Sequence, residues 1–67
     1  MSIKKTIGDN IRKFRKEIGW TQEKLGVRAG FHPNYISRLE LGQENVQIET
    51  LERIAKVLKI DSHLLFL

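Results

Sequence analysis

At 67 residues, the chain has room for one small hydrophobic core, so we expect a single domain over residues 1–67. It contains no cysteine, which excludes disulfides and thiolate metal sites and fits a reducing cytoplasm. Its apolar runs are far shorter than the roughly 20 residues that a membrane span needs, and its net charge of +4 favours an anionic partner.

The positive charge is concentrated in the first part of the chain. Residues 1–28 carry eight basic and three acidic side chains, whereas residues 29–67 carry four basic and five acidic ones. Such a basic segment is typical of a surface that contacts the phosphates of a nucleic acid. A solvated basic helix face would have the same composition, so charge alone leaves both interpretations open.

The spacing of apolar residues predicts an all-α fold of five helices, and no segment alternates with the period of a strand. We expect the first helix over about residues 6–18. Its apolar face is formed by Ile7, Ile11, Phe14 and Ile18. Thr6 and Asp9 resemble a capping box, Gly8 is a mild weakness inside the helix, and Gly19 is expected to end it.

The other four helices are predicted over about residues 22–29, 33–41, 48–58 and 62–66. Thr21 is a suitable N-cap for the second, and Pro33 suits the first position of the third, which Gly42 ends. Asp61 or Ser62 is expected to cap the last short turn. The fourth helix is expected to bury Ile48, Leu51, Ile54, Ala55 and Leu58.

The second and third helices have the spacing of a helix-turn-helix. Gly26 permits a close approach between helices, and Gly30 can adopt the positive φ that ends a helix in a tight turn. The buried side would consist of Leu25, Ala29, Phe31, Ile36 and Leu39. Such a unit holds its second helix where it can enter the major groove of DNA.

If Ile36 and Leu39 point inward, the opposite face of the third helix presents a polar stripe. Its members are Asn34, Ser37, Arg38 and Leu41. Asparagine can pair with adenine, arginine with guanine, serine with several base edges, and leucine with a thymine methyl. Without the turn, a hydrated helix face would explain the same pattern.

The flanks of this helix offer candidate phosphate contacts. Gln22 at the start of the second helix, and Gln43 and Asn45 in the loop after the third, are candidate DNA-binding residues. The Tyr35 hydroxyl could donate to a phosphate, or the ring could pack against the first helix.

One charged pair is predicted to be structural. Glu40 lies on the third helix, which would enter the groove of DNA. A carboxylate there would repel phosphate unless a cation neutralised it, and Arg15 is the natural partner. We expect a partly buried ion pair that fixes the angle of the third helix. The alternative is two independent surface charges.

No catalytic or metal constellation accompanies these features. His32 and His63 have no further ligand at helical spacing, and no nucleophile triad, carboxylate pair or glycine-rich phosphate loop is present. We therefore expect no enzyme, no cofactor and no small-molecule substrate.

The carboxyl-terminal segment is unusually apolar and predicts a two-fold dimer interface. The expected interface residues are Val57, Leu64, Leu65, Phe66 and Leu67. Two recognition helices would then meet a palindromic site about one DNA turn apart. Alternatively, Leu64 and Leu65 fold back onto the core, and Phe66 and Leu67 are disordered or belong to a longer chain.

Taken together, the sequence resembles the lambda-repressor/Cro-like helix-turn-helix family, also called the xenobiotic-response-element family. The residues that carry the resemblance are Ile11 to Arg15, Thr21 to Leu25, Ala29 and Gly30, Tyr35 to Glu40, Gly42, and Leu51 to Leu58. The resemblance implies a compact five-helix domain that binds palindromic operators as a dimer, with an ion pair at the positions of Arg15 and Glu40.

Within that family, the segments 32–37, 45–46 and 51–55 are similar to the controller proteins of restriction–modification systems. Pro33, Leu41 and Glu44 stand where those controllers often carry arginine. A phage repressor or a general bacterial regulator is also compatible with the pattern. The alternative from another class is an antitoxin-like protein-interaction module that uses the helix-turn-helix as a scaffold.

Overall fold

The computed structural model describes residues 2–67 and confirms the prediction of an all-helical fold, with no strand among them. Its elements are α1 (Ile3–Glu17), α2 (Gln22–Ala29), α3 (Pro33–Glu40), α4 (Ile48–Leu58) and a final 3-10 turn, η1 (Ser62–Phe66). In this part of the chain, every helix is too short or too polar to cross a membrane.

Helix α1 begins one turn earlier than its predicted start at residue 6, and the predicted capping box is wrong. Thr6 lies inside the helix, where its hydroxyl donates to the carbonyl of Ser2 over 3.3 Å. Asp9 instead binds the Lys5 ammonium at 2.6 Å. This pair spans one helical turn and supports the additional residues at the start of α1.

The predicted turn at Gly19 is present, but Ile18 does not belong to the buried face of α1. Gly19 has a φ of 76°, and the amide of Trp20 donates back to the carbonyl of Arg15 over 3.1 Å. Ile18 therefore lies at the C-cap, where the chain leaves the helix, and its side chain is exposed.

The turn between α2 and α3 has the geometry expected from its glycines. The Thr21 hydroxyl accepts from the Lys24 amide at 3.0 Å, and Gly30 ends α2 with a φ of 80°. A Cβ atom on Gly26 would lie 2.5 Å from the carbonyl oxygen of Phe31, so only glycine allows this approach. The backbone after α2 consequently packs directly against that helix.

His32 has a capping role that the sequence analysis did not predict. It is the N-cap of α3, and its Nδ1 accepts from the amide of Asn34 at 3.0 Å. Pro33 follows at the first helical position, as predicted. The start of α3 is therefore defined by both residues.

The core lies between the four α-helices and η1. Its fully or almost fully buried apolar residues are Ile7, Ile11, Leu25, Ala29, Ile36, Leu39, Leu51, Ile54, Ala55, Leu58 and Leu65. The prediction that Ile48 is buried is wrong, since it is 69% exposed. It occupies the first position of α4, where the helix extends beyond the core.

The carboxyl-terminal turn returns to the body of the protein. Leu65 is completely buried against α1 and α4, and its carbonyl accepts from the Asn10 side-chain amide at 2.9 Å. The prediction that Leu65 belongs to a dimer interface is therefore wrong, because its own chain covers it. The side-chain cap expected from Asp61 or Ser62 is also absent; the backbone carbonyl of Asp61 accepts from the Leu64 amide instead.

Gly8 marks the contact between α1 and α3 and is more than a weak point of its helix. A Cβ atom there would collide with the carbonyl oxygen of Leu39 and lie 2.8 Å from that of Glu40. Both obstacles are backbone atoms, so a side-chain rotation cannot relieve the collision.

We therefore expect Gly8→Ala to lower the free energy of unfolding by about 1–3 kcal/mol, as overpacking does. Helix propensity alone would give the opposite sign, a gain of up to about 1 kcal/mol. Urea denaturation followed by circular dichroism measures the difference. Lys16→Ala, on an exposed position of α1, is the control and should change stability little; a more stable Gly8→Ala variant would contradict this packing.

Candidate nucleic-acid interface

A buried ion pair connects α1 to α3. Arg15 Nε donates to Glu40 Oε2 at 2.7 Å and Arg15 Nη2 donates to Glu40 Oε1 at 3.0 Å. The two side chains are only 8% and 3% exposed. The structure thus contains the pair that the sequence suggested, in the bidentate geometry that gives the strongest contact between these groups.

Two further hydrogen bonds complete this network. Arg15 Nη1 donates to the Trp20 carbonyl at 2.6 Å, and the Gln22 amide donates to Glu40 Oε1 at 3.1 Å. The pair therefore also fixes the turn after α1 and the first residue of α2. Gln22, a candidate phosphate ligand, is half-buried and has this structural partner in addition.

The predicted face of α3 points away from the core. Ile36 and Leu39 are buried, whereas Asn34, Arg38 and Leu41 are exposed. Ser37 is half-buried beside them. Amide, guanidinium, hydroxyl and apolar groups consequently share one outward surface, and these are the groups that distinguish base edges in a major groove.

Tyr35 and Arg38 have partners within the chain. The Tyr35 ring lies 5.1 Å from that of Phe31, and the Arg38 guanidinium carbon lies 6.0 Å from the Tyr35 ring centre. Arg38 Nε also donates to Glu44 Oε2 at 2.6 Å. The loop after α3 therefore contributes an acid to the surface that α3 presents.

A groove of about 310 Å³ runs along this surface, between α1, the start of α2 and the end of α3. Its lining includes Lys5, Asp9, Arg12, Gln22, Ser37, Glu40 and Leu41. Lys5 and Arg12 were not among the predicted site residues. The basic charge of residues 1–28 indicates that cations of this segment contact DNA. Which of them line the groove beside α3 becomes clear only from the packing of α1 against α3.

The remaining candidates lie at the edges of the surface. Gln43 and Asn45 are exposed in the loop between α3 and α4. Within residues 2–67, no group of three or more His, Asp and Glu side chains is placed to hold a metal ion.

The two arginine–glutamate pairs allow a matched test of the buried one. Glu40→Gln should lower the free energy of unfolding by about 3 kcal/mol or more, because it leaves Arg15 as a buried charge without its counterion. Glu44→Gln removes the same charge from a partly exposed pair and should cost less than about 1 kcal/mol. Denaturant titration of both variants measures this; equal losses would contradict the structural role of Arg15 and Glu40.

Comparisons with known proteins agree with this arrangement. A family model described as helix-turn-helix matches residues 11–65. The uncharacterized HTH-type transcriptional regulator y4dJ of Sinorhizobium fredii is 39% identical over 60 residues, which cover 90% of this chain and 78% of that protein. SinR of Bacillus subtilis, an HTH-type transcriptional regulator, is 37% identical over 60 residues, covering 88% of this chain but only 54% of SinR.

Solved structures give the same result. A crystal structure of SinR in complex with DNA matches with a TM-score of 0.83 at 35% identity, over 88% of this chain and 95% of that one. The restriction–modification controller protein C.AhdI of Aeromonas hydrophila matches with a TM-score of 0.90 at 30% identity, over 94% and 91% of the two chains. These relatives are regulators and not enzymes, and the chain belongs to the helix-turn-helix family.

Proposed function

We propose that this protein is a sequence-specific regulator of transcription that binds double-stranded DNA through α3. The observation that carries the proposal is the outward surface of α3, held in place by the buried pair of Arg15 and Glu40. The SinR relative, solved in complex with DNA, supports the same use of the fold. The relatives of this chain are transcriptional regulators, and the chain contains no cysteine; both features favour a cytoplasmic site of action.

The base-reading residues would be those that α3 directs away from the core. Arg38 can donate to guanine and Asn34 can pair with adenine. Ser37 can reach several base edges, and Leu41 offers an apolar contact for a thymine methyl. Asn34 and Arg38 are exposed on α3, Ser37 is half-buried beside them, and Leu41 is exposed at the end of the helix. This set matches the three or four side chains that such a helix places in a groove.

Backbone contacts would come from the rim of the same surface. Arg12 and Lys5 line the groove beside α3, and Asn45 and Gln43 extend from the loop after it. Gln22 can meet a phosphate at the start of α2, and Tyr35 can offer its hydroxyl. Contacts of this kind set the register on DNA without reading its sequence.

We further propose that the protein binds a palindromic operator as a homodimer. Phe66 and Leu67 are 45% and 81% exposed, and Val57 on α4 and Leu64 on η1 are half-buried. A two-fold contact through these apolar residues would remove them from water and pair two α3 helices for two half-sites. Leu65 has no part in it, since the core of its own chain covers it.

The division between base and backbone contacts can be tested on a duplex selected from a random pool. Arg38→Ala should reduce discrimination at a defined base pair by about 1–3 kcal/mol. Arg12→Ala should instead weaken all duplexes by a similar factor and lower the salt slope by about one. Fluorescence anisotropy over a series of salt concentrations measures both effects.

Lys56→Ala is the control for the lost charge, because Lys56 is exposed on α4 and outside the groove. It should leave the base preference intact. If Arg38→Ala lowers specific and random binding equally, Arg38 does not read a base. If the parent protein fails to bind any duplex at about 50 mM salt, the protein-interaction alternative is favoured.

The dimer can be tested in the absence of DNA. Sedimentation at micromolar concentration should show a dimer, and Phe66→Ala should shift the equilibrium toward the monomer because it removes apolar contact area. Ile48→Ala removes an exposed apolar side chain elsewhere and should leave assembly unchanged. A monomeric parent protein that binds single half-sites as tightly as palindromes would disprove the dimer.

A further inference from the structure

Glu44 stands out on the candidate surface because it brings a negative charge to a region proposed to approach phosphate. Its carboxylate lies 2.6 Å from Arg38 Nε, and the two side chains are 28% and 48% exposed. Like charges across an interface reduce affinity. Attraction to DNA therefore does not explain an acid at this position, and Glu44 must be explained by another role.

The turn after α3 brings Glu44 close to Arg38. Gly42 adopts a φ of 74°, and the Gln43 amide donates to the carbonyl of Arg38 itself at 2.9 Å. The Gly42 amide donates to the Leu39 carbonyl at 3.1 Å. These two bonds form the turn that ends α3, and they place the residue after Gln43 beside the Arg38 side chain.

The contact with Glu44 uses only one edge of the guanidinium group. Within residues 2–67, the single hydrogen bond of the Arg38 side chain is the one from Nε to Glu44. The Tyr35 ring lies near the guanidinium, 6.0 Å from its central carbon. The two terminal nitrogens, Nη1 and Nη2, remain available as a pair of parallel donors.

We propose that Glu44 is a specificity-determining residue that positions Arg38 to read guanine. By accepting the Nε–H, Glu44 limits rotation of the guanidinium and presents the Nη1 and Nη2 donors together. Guanine is the base that offers two acceptors, O6 and N7, on its major-groove edge. This inference rests on the proposed DNA-binding function and adds a residue that does not itself touch the base.

Removing the Glu44 carboxylate should therefore lower base discrimination and raise the overall affinity for DNA. Glu44→Ala should lower the preference for guanine at the base pair read by Arg38 by about threefold to tenfold, since a free arginine samples other acceptors. The same variant should bind random duplex about twofold to fivefold more tightly, because a negative charge near phosphate is lost. Glu44→Gln keeps a neutral acceptor, so its preference for guanine should lie between those of the parent protein and Glu44→Ala.

The experiment compares Glu44→Ala, Glu44→Gln, Arg38→Lys and Glu49→Ala on the selected duplex and on its single-base variants. Glu49→Ala is the charge control, because Glu49 is an exposed acid in the first turn of α4. We expect Glu44→Ala and Arg38→Lys to relax preference at the same base pair. Glu49→Ala should leave preference at every position unchanged.

Two results would overturn the role of Glu44 while the proposed function stands. If Glu44→Ala raises affinity uniformly, by the same factor as Glu49→Ala and without loss of base preference, Glu44 acts only through its charge. A sharper preference for guanine after Glu44→Ala would make it an inhibitor of Arg38. Salt-dependent binding of the parent protein to duplex tests the proposed function separately, and its absence would overturn both.

A second measurement needs no DNA. In the free protein at low salt, the Nε–H of Arg38 should give an NMR resonance that exchanges slowly with water, and Glu44→Ala should abolish it. Circular dichroism checks that the variant is folded. If the parent protein shows rapid exchange at this Nε–H, the contact does not persist in solution and Glu44 cannot position Arg38.

Discussion

The orientation of α3 depends on the buried contact between Arg15 and Glu40. Burying two charges is costly unless every donor and acceptor finds a partner. Here Arg15 binds both carboxylate oxygens and the Trp20 carbonyl, while Gln22 adds a bond to the same carboxylate. Three helices and a turn thus share one polar contact, and its directional geometry fixes the angle that apolar packing alone would leave less defined.

The same arrangement makes an acidic residue acceptable on a helix that would enter a groove of DNA. Glu40 faces inward and is neutralised by Arg15, so α3 presents Arg38, Asn34 and Leu41 instead. The close contact at Gly8 brings α1 against α3. Because α1 carries much of the positive charge, that contact also places basic side chains along the edge of the outward surface of α3.

The sequence predicted what depends on periodicity and local rules, including the turn at Gly30 and the inward position of Ile36. The sequence places the start of α1 at residue 6 because Thr6 and Asp9 match a capping pattern, whereas in the structure Ser2 is the N-cap and Asp9 pairs with Lys5 one turn earlier. The burial of Leu65 and the exposure of Ile48 depend on where the core ends, which periodicity within one helix does not reveal.

If the protein uses α3 as inferred here, duplex DNA binds at the surface around that helix. NMR titration of the labelled protein with a short duplex tests this directly and requires no knowledge of the operator. The amides of residues 33–45 and of the start of α2 should show the largest shift changes, and those should diminish as salt is added. Shift changes confined to the end of α4 and η1, or no changes at low salt, would contradict DNA binding through α3.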